Sequence, residues 1–420
     1  MPTPTDFLRD LPAPAELLAR PVTDVPVTNN AHIHLPPNFS AFDSVAQAVN
    51  LAAAQGVAVL GASNYYDYTV YEPFTRLALD AGIFPLFGLE IITLDDEMRD
   101  AGVLANDPGN PGKVYICGKG ITGFAPLSPN AGTLLNTIRD RDSERMAQMA
   151  QRLADVFVGA GLDTGLTARS VKERVVARHG SPIESVYLQE RHIAQAFQEV
   201  IFERVTETDH AELLSRAFGG SPKSAPGDAN GLQGEIRSAL MKAGKPGFVP
   251  ETFVSRDHAF RLITALGGIP CYPTLADGTK PLCGFEIPVA AWVERLQTLG
   301  FSCAEFIPIR NSPEVLAEYV RAVRDAGIVV TAGTEHNTRD LVPIAPTCVN
   351  GAPIPGDTAA IFAEGACVVA AHQYLVARGE TGFVDANNVP NTAFVDAGSR
   401  IAYFATLGRA VIAAVSRRGQ

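Results

Sequence analysis

Val27-Thr28-Asn29-Asn30-Ala31-His32-Ile33-His34-Leu35-Pro36-Pro37-Asn38 is the stretch on which the reading of this chain turns. The run Val25-Pro26-Val27-Thr28 leans toward β structure and Pro36-Pro37-Asn38 breaks it, so the pattern predicts a strand over residues 27–34. In an extended strand residues i and i+2 face the same side, and two imidazoles at that spacing can converge on one ion. A first strand that ends in His-x-His is therefore half of a metal site, although two surface histidines beside a turn would carry the same letters. The choice rests on what the remaining residues supply.

Strand-like and helix-like runs alternate along much of the chain, the pattern of a parallel β/α architecture. A helix is expected over 42–55 with Ser40 as a cap, a strand over 57–61, a helix over 71–81 and a strand over 83–90. A further strand over 114–117 leads into Gly118-Lys119-Gly120. From about residue 130 the character changes to helical periodicity at 133–160, 183–203 and 208–217, followed by a Gly/Ser/Pro/Asn-rich patch at 219–231. The alternation resumes with helices over 256–266, 289–299 and 313–326 and strands over 268–272, 302–307 and 328–332. Two helices, 358–377 and 398–416, close the chain.

Composition narrows the class. The chain has 420 residues, 46% hydrophobic and 19% charged, which is the balance of a globular enzyme with a large core. Its formal net charge is −11 with the charges interspersed. That leaves no electrostatic footprint for nucleic acid or an anionic membrane, and the expected partner is a small molecule. The six cysteines lie far apart with no Cys-x-x-Cys pair, which suits reduced thiols. No secretion-type leader and no apolar run of about 18 residues is read in the sequence, so the expected location is the cytoplasm. The sequence does not specify an oligomeric state.

Four strand ends supply candidate ligands: His32 and His34, then Asn64 and Asp67, then Glu90, then Glu335 and His336. Imidazole and carboxylate suit zinc, manganese or iron, and a barrel gathers its strand ends at one mouth. Lys119 and Arg310 also follow expected strands and are candidates to meet a phosphate or carboxylate there, with a solvated loop lysine as the plain alternative. Arg191 and His192 begin a helix and could contribute substrate contacts, or form an ordinary solvated first turn. Asp277 could be a base or a ligand, although Asp-Gly is also a common turn.

His32-Ile33-His34 with Phe39-Ser40-Ala41-Phe42, the segment Val57 to Tyr65, Gly88-Leu89-Glu90 and Ala332-Gly333-Thr334-Glu335-His336 together resemble the polymerase and histidinol phosphatase (PHP) family of metal-dependent phosphoesterases. The resemblance implies an α/β fold, a distorted (β/α)7-like TIM-type barrel with a helical insertion. The resemblance covers about residues 25–125 and 250–340; with the helical periodicity between them, the chain divides into a lead (1–26), a first barrel part (27–129), a helical insertion or cap (130–250), a second barrel part (251–345) and C-terminal helices (346–420). The resemblance also implies a divalent metal held by His32, His34, Glu90, Glu335 and His336, and the catalytic candidates are Glu335 and His336 together with Asp277, which is offered by its own position. The implied activity is hydrolysis of a phosphoester or related bond of an anionic small molecule by metal-activated water.

Three positions depart from the family pattern. Ser63-Asn64-Tyr65 stands where Thr-Asp-His is usual, Tyr272-Pro273 where His-Pro is usual, and Gly333-Thr334-Glu335-His336-Asn337 approximates Gly-Ser-Asp-x-His. One or two ions are expected rather than three. His-x-His on a first strand is also similar to the amidohydrolase class, including uronate isomerases. That likeness implies an alternative chemistry, a metal-dependent isomerase or lyase of a sugar acid. A non-catalytic binding protein on the same scaffold is the third reading.

Overall fold

The computed structural model of the protein describes residues 3–21 and 27–417. Val25 and Pro26, which open the expected first strand run, lie outside these residues. Seven strands form one sheet in chain order: β1 (Asn29–Ile33), β2 (Val59–Ala62), β3 (Phe84–Leu94), β4 (Lys113–Lys119), β5 (Ile269–Thr274), β6 (Cys303–Phe306) and β7 (Val329–Ala332). The sheet curls until its ends meet. Ile33 bridges in parallel to Glu335, just past β7. The His34 N–H donates to the Glu335 carbonyl at 2.8 Å, and the Glu335 N–H donates to the His32 carbonyl at 2.9 Å. The result is a TIM-type α/β barrel of seven strands.

One strand breaks the parallel pattern that the alternation predicts. β4 runs antiparallel to both β3 and β5. Its connection from β3 holds only the five-residue helix Asp96–Asp100, and the ladder ends with the Asp95 N–H donating to the Gly112 carbonyl at 2.8 Å. The chain thus doubles back as a long hairpin instead of crossing over through a helix. Gly112 is required at that turn, since it sits at φ +73° and a Cβ would come within 2.4 Å of the Asp95 carbonyl oxygen. The reversal places the C-terminal end of β4 beside the start of β5, where Lys119 pairs with Ile269.

The helices Gly356–Ala377 and Ala397–Ser416 share one apolar cluster with Leu8, Val59, Phe84, Cys271 and Val329 of the barrel and lead. The first of them is long and apolar enough to cross a membrane, contrary to the expectation that no such run exists, and 72% of its apolar window is buried inside the fold. Gln373 within it accepts from the Phe87 N–H at 2.9 Å and donates to the Pro85 carbonyl at 3.1 Å, which fixes it against β3. All six cysteines are buried and none is in a disulfide. The helix expected from residue 42 starts later, at Val45–Ala54, because the cap is Ser44, whose hydroxyl accepts from Gln47.

Residues 36–43 and 136–253 form a second compact unit. It has its own core, including Met149, Leu153, Val171, Val200 and the stacked pair Phe157 and Phe197 at 5.4 Å. Two of its helices escape a sequence reading. Ala168–His179 is mostly polar and is capped by Thr167 with Ser170 instead of the usual Glu or Gln. Ala229–Ile236 lies partly within the Gly/Asn-rich patch, started by Asp228 accepting from the Gly231 N–H.

Candidate metal centre

β1 carries His32 near its end and His34 just beyond it, and β3 presents Glu90. His32 Nε2 and His34 Nε2 are 3.3 Å apart, and Glu90 Oε2 lies 3.4 Å from the first and 3.1 Å from the second. Zinc bonds of about 2.0–2.1 Å in a tetrahedral arrangement place neighbouring ligand atoms about 3.3–3.4 Å apart, close to the edges of this triangle. All three side chains are buried. Glu90 Oε1 accepts the Tyr65 O–H at 2.8 Å, whereas Oε2 is buried and accepts no hydrogen bond. Two imidazole nitrogens facing an orphaned carboxylate oxygen form a donor set that one cation satisfies, so the residues fit a divalent metal.

The surroundings set the charges. Burial works to raise the Glu90 carboxyl, but the imidazoles of His32 and His34, 3.4 and 3.1 Å from its Oε2, outweigh it and hold the group below the usual carboxylate range. Burial lowers the His34 imidazole. Tyr65, stacked on His34 with ring centroids 5.1 Å apart, is raised well above the ordinary phenol value by burial and by the Glu90 charge. It stays a hydrogen-bond donor.

Behind His32 lies Glu305, which the sequence reading did not single out. Its Oε1 is 2.6 Å from His32 Nδ1 and its Oε2 is 2.5 Å from Lys119 Nζ. The signal was present, since Glu305 is the only charged residue in the apolar stretch Cys303-Ala304-Glu305-Phe306-Ile307. Lys119, expected at the mouth, is instead fully engaged inside the barrel, because the reversed β4 carries its end to the opposite side. Cys117 also belongs to the interior, and with His32 and Glu90 it offers ligand atoms within 4.8 Å of one another. Its sulfur faces His32 Nδ1 at 3.9 Å, however, and burial pushes the thiol up to about 11. A protonated thiol on the far side of the ring is a poor ligand, and His34 completes the triangle better.

The other expected residues are placed as follows. Arg310 grips the Glu335 carboxylate with both ends of its guanidinium fork, and Asn337 donates to the same carboxylate at 2.7 Å. The Arg310 side chain remains 35% exposed, which puts this pair at the rim. His336 is not turned to the triangle, since its Nδ1 meets the Thr334 hydroxyl at 2.7 Å and its Nε2 donates to the Val342 carbonyl at 2.9 Å. Asp277 accepts from Asn311 Nδ2 at 3.0 Å and from the Ser312 hydroxyl at 2.6 Å, and so ties the loop after β5 to the helix Pro313–Asp325. Asn64 clasps the Leu35 backbone through both amide atoms at 2.8 Å, and Asp67 accepts from Thr69. In the second unit Arg191 lies over the Phe39 ring, while His192 is buried, accepts from the Gln189 N–H and is lowered to about 3 by burial.

No protein-family model and no curated protein matches the sequence. Among solved structures the chain is similar to a Bifidobacterium adolescentis protein whose description as a metal-dependent phosphoesterase is itself provisional. The two share 15% identity and a TM-score of 0.53 over 80% of this chain and 95% of that one. It is also similar to an amidohydrolase from Chromobacterium violaceum solved with sulfate and no metal, at 17% identity and a TM-score of 0.49 over 80% and 97% of the two chains. At such identities the first likeness supports the fold and the second adds no weight.

Proposed function

We propose that the protein is a metal-dependent hydrolase that cleaves a phosphoester or related bond of a small anionic molecule. The observation that carries this reading is the buried triangle of His32 Nε2, His34 Nε2 and Glu90 Oε2, with edges of 3.1 to 3.4 Å. Those three residues would hold one divalent ion, zinc, manganese or iron. When bound, such an ion supplies Lewis acidity and an activated water as nucleophile. The provisional description of the Bifidobacterium protein agrees with this class.

Charge counting favours an anionic substrate. Glu305 is balanced by Lys119 and Glu335 by Arg310, so a divalent ion opposed by the single carboxylate of Glu90 leaves the centre positive. Tyr65 keeps Glu90 Oε1 occupied and so holds Oε2 in the triangle. Arg310, at the rim with a planar fork of donors, is shaped to take two oxygens of a phosphate. Transfer of that fork from Glu335 to the substrate would free the Glu335 carboxylate to accept or return a proton near the leaving group. The test is phosphate release from a panel of sugar and nucleoside monophosphates by protein supplemented with zinc or manganese, compared with chelator-treated protein. Metal-dependent release from any member supports the reading. An inert panel, together with exchange of the α-proton of a sugar acid into deuterated water, would replace hydrolysis with the isomerase or lyase chemistry.

A further inference from the structure

We propose that Glu305, backed by Lys119, is a positioning residue for the metal centre that aims His32 Nε2 into the ligand triangle. This assignment rests on the metal reading of the site. An imidazole has two nitrogens, and it can offer a lone pair from one only if the other carries the proton. Glu305 is fully buried and its Oε1 sits 2.6 Å from His32 Nδ1. A carboxylate can only accept at that distance, so Nδ1 holds the hydrogen and Nε2 is left to face His34 and Glu90. A carboxylate bonded to the outer nitrogen of a ligating histidine fixes both the ring orientation and its basicity.

The second oxygen of Glu305 is what makes such a buried anion tolerable. Oε2 accepts from Lys119 Nζ at 2.5 Å and from the Thr331 hydroxyl at 3.3 Å, and the same lysine donates to the Ala31 carbonyl at 3.2 Å. Ala31 immediately precedes His32. The lysine thus ties the carboxylate and the backbone of the ligand strand together, and side chains from β4, β6 and β7 converge to hold one ring on β1. The pair is also neutral as a unit, so it steers His32 without adding a negative charge to the centre. The reversed strand β4 gains a role from this arrangement, because its end, paired with Gly88 and Ile269, carries the Lys119 amine that holds Glu305.

Two double variants separate positioning from packing. Removing both charges avoids stranding either one in the interior, which favours folding of both proteins. In K119M/E305Q the amide oxygen can still accept from Nδ1–H, whereas in K119M/E305L nothing can. The readouts are the zinc dissociation constant, measured by chelator competition, and the visible absorption of the cobalt-substituted protein. K119M/E305Q should keep a dissociation constant and cobalt spectrum near those of wild type. K119M/E305L should bind zinc about 10–100-fold more weakly with altered cobalt bands. Equal binding and equal spectra in all three proteins overturn the assignment, as does an equal loss in both doubles. Should the doubles fail to fold, long-range 1H–15N correlations on the zinc-loaded wild type decide it, and finding Nδ1 bound to zinc with the proton on Nε2 overturns it. A wild type that binds neither zinc nor cobalt refutes the metal reading and this assignment together, whereas a binding wild type with an indifferent Leu variant refutes this assignment alone.

Discussion

Glu90 uses its two oxygens differently, and the centre depends on that division. Tyr65 occupies Oε1, and Oε2 is left facing His32 and His34 with no hydrogen bond of its own. Replacing both histidines by alanine should abolish stoichiometric zinc binding in equilibrium dialysis. The far-ultraviolet circular dichroism should stay near wild type, because Glu305 keeps Lys119 as its partner after His32 is gone. Unchanged zinc content in that variant would refute the centre. Another buried carboxylate makes a different forecast. Glu286 accepts from the N–H groups of Leu275 and Ala276 and from the Tyr272 hydroxyl, yet burial outweighs these bonds and pushes its carboxyl up to about 7 from an ordinary 4.5. A carboxyl raised in the folded state favours folding while protonated. Its contribution is fully present below pH 4.5 and is lost as the pH rises through about 7. The melting temperature of wild type should therefore fall between pH 5 and 8 relative to that of Glu286→Gln, with other titrations cancelling in the difference. Parallel melting curves for the two proteins across that range would show that Glu286 is not the group responsible.

At the scale of elements, the centre depends on how β7 closes against β1. Gly333 follows β7 directly, and a Cβ there would stand 2.4 Å from the Cβ of His32. Glu335 and His336 then take positive φ values of 59° and 52°, unusual for residues with side chains, while the Glu335 peptide is bonded to β1 on both sides. Gly333→Ala should force the strands apart at the ligand pair. The expected result is a loss of about 1–3 kcal/mol in denaturant unfolding and weaker zinc binding, with neither change touching a ligand atom. Retention of both would mean that the closure is slack. Elements also divide what the sequence discloses from what it hides. β2, β6 and β7 are short, mostly apolar runs with polar residues at or just beyond their ends, and β1 is marked by its His-x-His spacing ahead of a Pro-Pro break, so local sequence is enough to locate all four. The polarity of β4 is not legible, because direction is set by the connection and not by the strand's own residues. With that polarity hidden, Lys119 reads as a mouth residue, and its partnership with Glu305 stays out of sight. His336 misleads for a related reason, since only the closure with β1 shows its nitrogens already engaged by Thr334 and Val342.

Among the described residues, one apolar cluster joins the barrel to the C-terminal helices and another lies within residues 136–253, and the two have no residue in common. The sequence changes its periodicity near residue 130, and residues 136–253 with 36–43 cluster as the second unit. It does not announce the return of residues 36–43 to that unit, because eight residues after a Pro-Pro turn carry no periodic signal of their own. Separate cores give the metal a selective thermodynamic signature. All three proposed ligands, His32, His34 and Glu90, belong to the barrel unit, so an ion that binds only the folded barrel would stabilise that unit by mass action, by about 2.7 kcal/mol when free zinc stands at 100 times its dissociation constant. For a unit of this size such a gain is worth several degrees of melting temperature. Differential scanning calorimetry of the whole protein should therefore resolve two transitions, of which chelator lowers one and leaves the other in place. A fragment spanning 136–253 is not needed, because hydrogen exchange on the intact chain assigns each transition to its unit. If chelator lowers both transitions by the same amount, the units unfold together and the division into independent cores fails. If it lowers neither, the centre does not hold a metal in solution.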